Sequence, residues 1–227
     1  MKNIRITEHA FEKTGHVRWL LGRAFLRLMG WRLEGELPQC GAAVIIAAPH
    51  TSNWDMFYML AVAWSYRVKL SWLGKHTIFR PPFGWLLKKL GGIPVDRRQP
   101  GGLVEQAAAR LRTERKFLLL MAPSGTRGKR PCWKSGFYHI AHSANVPVIC
   151  SFLDYGRRVT GIGPSFLLEG NPAVDMKKIR GFYSGMQGKR PECMTPALLR
   201  EEIEDAETAG GARAVLEAAR GEGHAQA

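Results

Sequence analysis

Residues 42–55 read AAVIIAAPHTSNWD, and three changes of character along this stretch decide the fold. Residues 42–48 form an unbroken apolar run, short enough for a strand and without polar alternation, which fits a strand buried on both faces of a sheet. Pro49 and His50 end it. Ser52, followed three positions later by Asp55, has the form of a helix capping box, in which the acid reaches back to a backbone N–H at the helix start. It opens an apolar helical segment over residues 56–64. His50 is therefore expected at a strand-to-helix junction, on the kind of connecting segment that often carries function.

The later chain repeats this rhythm. A helix is expected over residues 102–114, a strand over 117–121, a loop over 123–131, a helix over 136–143 and a strand over 146–153. Strands alternating with helices imply an α/β domain with a central mixed sheet flanked by helices. With 227 residues, 45% of them hydrophobic and 23% charged, the chain is long enough for one domain with a sizeable core and is far from the composition of a disordered protein.

Charge narrows the partners. Lys and Arg number 33 against 19 Asp and Glu, and residues 200–227 hold 7 of the acids and 3 of the bases, so residues 1–199 carry a formal +18. Such a body attracts polyanions: nucleic acid, anionic lipid headgroups or a phosphate-bearing substrate. Cys40, Cys132, Cys150 and Cys193 show no C-x-x-C spacing, which fits a reducing, cytoplasmic-side location. No run approaches the ~20 apolar residues of a spanning helix, and the apolar stretch of residues 17–29 is interrupted by Arg18, Arg23 and Arg27, unlike a signal peptide.

Residues 16–33 (HVRWLLGRAFLRLMGWRL) are expected to form one amphipathic helix, with Leu21, Phe25, Leu28 and Met29 on one side and Arg23, Arg27 and Gly30 opposite. Two readings stand together. The helix lies in a membrane interface with Trp19 and Trp31 at headgroup level, or it packs on its own domain. Residues after Pro196 form an Ala/Glu-rich helix candidate interrupted at Gly210 and Gly211.

His50 and Asp55 make an H-x-x-x-x-D arrangement. A histidine titrating near neutrality suits a general base for a hydroxyl, and a carboxylate on its other ring nitrogen fixes the tautomer. The letters alone equally describe a helix cap beside a polar loop histidine. Two further elements change the balance. Residues 121–127 (MAPSGTR) follow a strand and end in Arg127, and residues 91–98 (GGIPVDRR) end in Arg97 and Arg98. Turns rich in backbone donors with an arginine at the end suit phosphate or a developing oxyanion.

Taken in this order, the elements resemble the glycerolipid acyltransferase family, the lysophosphatidic acid acyltransferases and their relatives. The first block of that family is matched by His50 and Asp55, the second by Gly92 to Arg97, the third by Pro123, Gly125, Thr126 and Arg127, and the fourth by Val146-Pro147-Val148-Ile149. The resemblance covers about residues 40–155. It implies transfer of an acyl chain from acyl-coenzyme A or acyl carrier protein to a lysophospholipid-type hydroxyl, with no metal, no cofactor and no acyl-enzyme intermediate. His50 would be the base, Asp55 its orienter, and Arg97, Gly125, Thr126 and Arg127 the phosphate or oxyanion site; Lys75 and Lys134 are weaker candidates for the same anionic groups. It further implies an O-acyltransferase of phospholipid biosynthesis, peripheral or monotopic on the cytoplasmic face of an anionic membrane. The expected division is an N-terminal amphipathic membrane-interface segment over residues 1–36 from its patterning, the acyltransferase domain over 37–200 from the resemblance, and a helical or frayed tail over 201–227 from its composition.

One departure stands out. The family's glutamate in the third block is Ser124 here, which keeps a hydroxyl but loses a carboxylate. This points to an acceptor other than plain lysophosphatidic acid, for example an aminolipid. His139 and His142 have a spacing that can hold a metal, but no further ligand stands at a diagnostic distance, so a structural role is expected. A non-enzymatic lipid- or nucleic-acid-binding protein is the alternative of a different class; none of the usual nucleic-acid modules is legible.

Overall fold

The protein is described by a computed structural model over residues 14–95, 102–114 and 116–208. Its centre is a seven-stranded sheet in the order β1-β7-β6-β2-β5-β3-β4. The strands are β1 (Arg32–Glu34), β2 (Ala43–Ala48), β3 (Ser71–Lys75), β4 (Gly92–Val95), β5 (Leu118–Met121), β6 (Val148–Asp154) and β7 (Val159–Phe166). Every pairing is parallel except β6 with β7, so the sheet is mixed. The helices are α1 (His16–Leu28), α2 (Trp54–Ser65), α3 (Gly84–Lys89), α4 (Leu103–Thr113), α5 (Gly136–Ala144), α6 (Pro172–Tyr183) and α7 (Arg200–Thr208).

The apolar run that suggested a doubly buried strand is β2, and its alternation shows why it has no polar face. Val44, Ile46 and Ala48 pack with Leu119, Val148 and Cys150 under α4, α5 and α6. Ala43 and Ile45 pack with Leu118, Leu120 and Ile149 on the side of α2 and α3. Both faces are covered, so period-two patterning has nothing polar to report. Because β2, β3, β4, β5 and β6 run the same way, the loops that follow them all open at one edge of the sheet. In open α/β sheets this carboxyl edge is where ligands bind.

The helix expected over residues 16–33 is shorter. It ends at Leu28, Gly30 adopts φ +72, and the N–H groups of Gly30 and Trp31 donate back to the carbonyls of Arg27 and Leu26. This is a Schellman stop, for which glycine in the left-handed region is the usual residue. Trp31 is consequently turned inward, 7% exposed against Tyr58 and Tyr155, and is no interface anchor. Arg32–Glu34 then joins the sheet beside β7. Of the two readings of the apolar side of this helix, packing on the domain does not hold for Leu21, Leu28 and Met29, which stand exposed. Gly22 and Leu26 face α2, while Val17, Leu20, Leu21 and Leu28 stand exposed.

Gly22 sets the approach of α1 to α2, since a Cβ there would sit 2.6 Å from the Ala61 carbonyl oxygen and 3.0 Å from the Trp64 Cβ. Gly22→Val is expected to push the helices apart and destabilise the protein by roughly 1–3 kcal/mol, a fall of several degrees in Tm for a chain of this size. An unchanged thermal unfolding curve would contradict that packing.

Candidate active site

At the carboxyl edge the chain leaves β2 through Pro49 and His50 and turns into α2. Asp55, in the first turn of α2 and only 3% exposed, organises this junction. Its Oδ2 accepts from the backbone N–H of Thr51 at 2.8 Å and of Ser52 at 2.9 Å, and lies 3.1 Å from His50 Nδ1. Its Oδ1 accepts from the Tyr155 hydroxyl at 2.7 Å. The Ser52 hydroxyl in turn accepts from the Trp54 N–H at 3.2 Å. The expected cap at Ser52 is displaced, since α2 has Asn53 at its N-cap with no side-chain cap bond; the Asp55 carboxylate oxygen instead ties down the Thr51 and Ser52 N–H groups of the preceding loop and lies against the imidazole.

Burial by itself raises the Asp55 pKa, but the hydrogen bonds from His50, Tyr155 and the Ser52 N–H, together with the charge on His50, hold it below the ordinary aspartate value. Asp55 is therefore an anion at neutral pH. With Nδ1 facing that anion, the other ring nitrogen, Nε2, is the one available for proton exchange in the cleft that His50 lines.

The cleft has a volume of about 490 Å³. Its inner wall is apolar, with Met56, Met59, Val62, Trp72 and Leu120, and its polar rim includes His50, Lys75, Thr126 and Arg127. Lys75 ends β3 and Arg127 follows β5; both are exposed, and among the described residues neither has a carboxylate partner. The turn after β5 is closed by the Gly125 N–H donating to the Ala122 carbonyl at 2.9 Å. Gly125 holds φ +65, a conformation that favours glycine. Ser124, 6% exposed, donates its hydroxyl to the Thr126 carbonyl at 2.8 Å, so it stiffens the turn from within.

Of the residues singled out in the sequence, His50, Asp55, Lys75, Gly125, Thr126 and Arg127 meet around this one cleft. Lys134 does not line it; its aliphatic stem runs against Gly125, and its N–H donates to the Pro123 carbonyl. β4 ends at Val95 on the same edge, but Arg97 lies outside the described residues. His139 Nε2 stands 3.1 Å from a Glu201 carboxylate oxygen and His142 stacks on Tyr138.

Two contributions are invisible in the local sequence. Tyr155, 100 positions from Asp55, arrives from the turn after β6. The segment before Pro191 also reaches the His50 loop, where the Arg190 N–H donates to the Thr51 hydroxyl at 3.2 Å and the Lys189 ammonium sits 5.1 Å above the Trp54 ring. Neither has a spacing signal, because both contacts are made by the fold.

A family model described as Acyltransferase matches residues 32–152. Among curated proteins, the 1-acyl-sn-glycerol-3-phosphate acyltransferase of Haemophilus influenzae is 32% identical over 143 residues, which are 58% of this chain and 57% of that protein. The protein of the same name from Streptococcus pneumoniae is 27% identical over 135 residues, 56% of this chain and 50% of that one. The chain spans about half the length of the curated relatives it matches. The crystal structure of the 1-acyl-sn-glycerophosphate acyltransferase from Thermotoga maritima aligns with a TM-score of 0.48 at 16% identity, covering 88% of this chain and 78% of that one.

Proposed function

The chain belongs to the acyltransferase family, and from that premise we propose that it moves a fatty acyl chain from an acyl thioester to the hydroxyl of a lysophospholipid. The observation that carries this reading is the His50–Asp55 pair, 3.1 Å apart, opening on a cleft whose wall is apolar and whose rim is cationic. An acyl chain is apolar and both substrates are anionic, so the two halves of the cleft suit the two halves of the chemistry.

In the proposed step His50 Nε2 takes the proton of the acceptor hydroxyl as its oxygen attacks the thioester carbonyl. The carbonyl electrons move onto oxygen and return as the carbon–sulfur bond breaks. The thiolate leaves and recovers the proton from His50, so an ester and a thiol are formed and the base is regenerated. Asp55 holds the ring in one tautomer and stabilises the transient imidazolium. Arg127 and Lys75 bind phosphate at the rim, Arg97 is a further phosphate-binding candidate by its place in the motif order, and Gly125 and Thr126 shape the turn that faces the reacting carbonyl. The step draws on the two substrates and these side chains, with acyl-coenzyme A or acyl carrier protein as donor.

Membrane docking through α1 belongs to the same proposal. Val17, Leu20, Leu21 and Leu28 are exposed on a helix that also carries Arg18, Arg23 and Arg27, a combination suited to an anionic lipid interface. Among the described residues no helix is long and apolar enough to cross a membrane; the proposed contact is peripheral or monotopic, on the cytoplasmic face of an anionic membrane.

The test is to incubate the purified chain with labelled acyl-coenzyme A and acyl carrier protein donors across a panel of lysolipids and identify products by mass. A new ester-linked phospholipid is expected; donor consumed only by hydrolysis, or not at all, would sink the reading. Because Ser124 replaces the family's glutamate, the best acceptor is expected to differ from plain lysophosphatidic acid. Equal or better turnover of lysophosphatidic acid in the same panel would remove that narrower claim.

A further inference from the structure

Tyr155 hangs from the turn after β6, and its hydroxyl donates to Asp55 Oδ1 at 2.7 Å, on the oxygen that His50 does not use. Its ring is held edge-on by two others, Trp31 at 4.9 Å and Tyr58 at 5.8 Å between centroids, so its rotamer is set by packing from the α1–β1 connection and from α2. We propose that Tyr155 is a positioning residue of the active site, fixing the plane of the Asp55 carboxylate so that Oδ2 faces His50 Nδ1. This rests on the acyl-transfer reading above and adds a third member to its dyad.

The geometry gives the reason. Two backbone N–H groups, from Thr51 and Ser52, converge with His50 on Oδ2, and they still leave the carboxylate free to tilt about that oxygen. A donor on Oδ1 removes this freedom. It also spreads the negative charge away from His50, which limits how tightly the pair holds a proton in the resting enzyme. Burial and then the Asp55 carboxylate itself push the Tyr155 phenol far above its ordinary value, so it stays a donor throughout the working range. Ser52, Thr51 and Tyr155 together leave Asp55 no oxygen without a partner, as a buried carboxylate requires.

The discriminating variant is Tyr155→Phe, which keeps the ring between Trp31 and Tyr58 and removes only the hydroxyl. The expected result is a fall of about tenfold in kcat with KM little changed. The acidic limb of the pH–rate profile should move to higher pH, because Asp55 accepts one hydrogen bond fewer and the dyad binds its proton more tightly. In an Asp55→Asn background the same change should cost clearly less, because the carboxylate oxygen that the hydroxyl binds has been replaced by an amide group. Native kcat and limb in Tyr155→Phe, or an equal loss in the Asp55→Asn background, would overturn the proposal. A substrate-free NMR titration of the His50 ring separates the two readings. If the native chain transfers no acyl group, the functional reading falls, while a titration displaced upward in Tyr155→Phe still upholds the positioning role and an unmoved one removes it.

Discussion

His50→Ala is expected to lower kcat for acyl transfer by roughly 10³-fold or more, the upper part of the range for a lost general base, with little change in fold. The loss follows from the arrangement of the loop. Among the residues lining the cleft, His50 alone combines a proton acceptor suited to neutral pH with a fixed ring orientation, and Lys75 and Arg127 are cations that cannot take its place. The fold should survive because Asp55 keeps its other three partners, the Thr51 and Ser52 N–H groups and the Tyr155 hydroxyl. No buried charge is left bare, so the large cost of an unsatisfied anion does not arise. Binding of donor and acceptor at the rim should persist as well. Steady-state transfer measured alongside thermal unfolding checks this. Residual activity above a tenth of native, or a collapse of Tm that mirrors the loss of activity, would remove His50 from the role of base.

How much of this was legible in the sequence depends on where each signal resides. β2 was readable because its whole register is apolar and its end is marked by Pro49, and α4, β5, α5 and β6 are bounded by similar contrasts. β3 (SWLGK), β4 (GIPV) and β7 (VTGIGPSF) contain glycine, proline or polar residues that weaken a strand pattern. Their neighbours in the sheet supply what their own letters do not. The helix expected over residues 16–33 exceeds α1 because Trp31, Arg32 and Leu33 continue the amphipathic composition, whereas Gly30 in the left-handed region ends it. An apolar tryptophan can serve a core or an interface, and only the turn at Gly30 chooses.

The site divides in the same way. His50, Asp55, Gly125, Thr126 and Arg127 were legible because each follows a strand that ends at the same sheet edge, so order along the chain translates into proximity. Tyr155, Lys189 and Arg190 reach the His50 loop by tertiary packing from 100 or more residues away, and no spacing rule records that. The two readings of the H-x-x-x-x-D letters are compatible in geometry, because Oδ2 of Asp55 accepts from the Thr51 and Ser52 N–H groups and also lies 3.1 Å from His50 Nδ1.

That double duty makes Asp55→Asn the second variant with a large expected effect, about a hundredfold in kcat, severe but smaller than His50→Ala because the ring remains. An asparagine has one acceptor oxygen and one donor nitrogen. If its oxygen keeps the Thr51 and Ser52 N–H groups, its NH₂ confronts the Tyr155 hydroxyl; if it turns over, the NH₂ confronts two backbone donors. The first orientation is favoured, and it retains a contact to His50 Nδ1 without the charge that stabilises an imidazolium, so the base is weakened more than misplaced. The same substitution has a pH signature in stability. The folded-state pKa of Asp55 is depressed, so its contribution is fully present above the unfolded value of about 3.9 and is lost as pH falls through the lower folded value. Native protein should therefore lose stability toward the variant as pH drops below about 4, while at neutral pH the variant should unfold at lower urea concentration. Urea midpoints of the two proteins compared between neutral pH and pH 3 would show that convergence; a constant gap across the range would mean that the Asp55 charge does not hold this loop together.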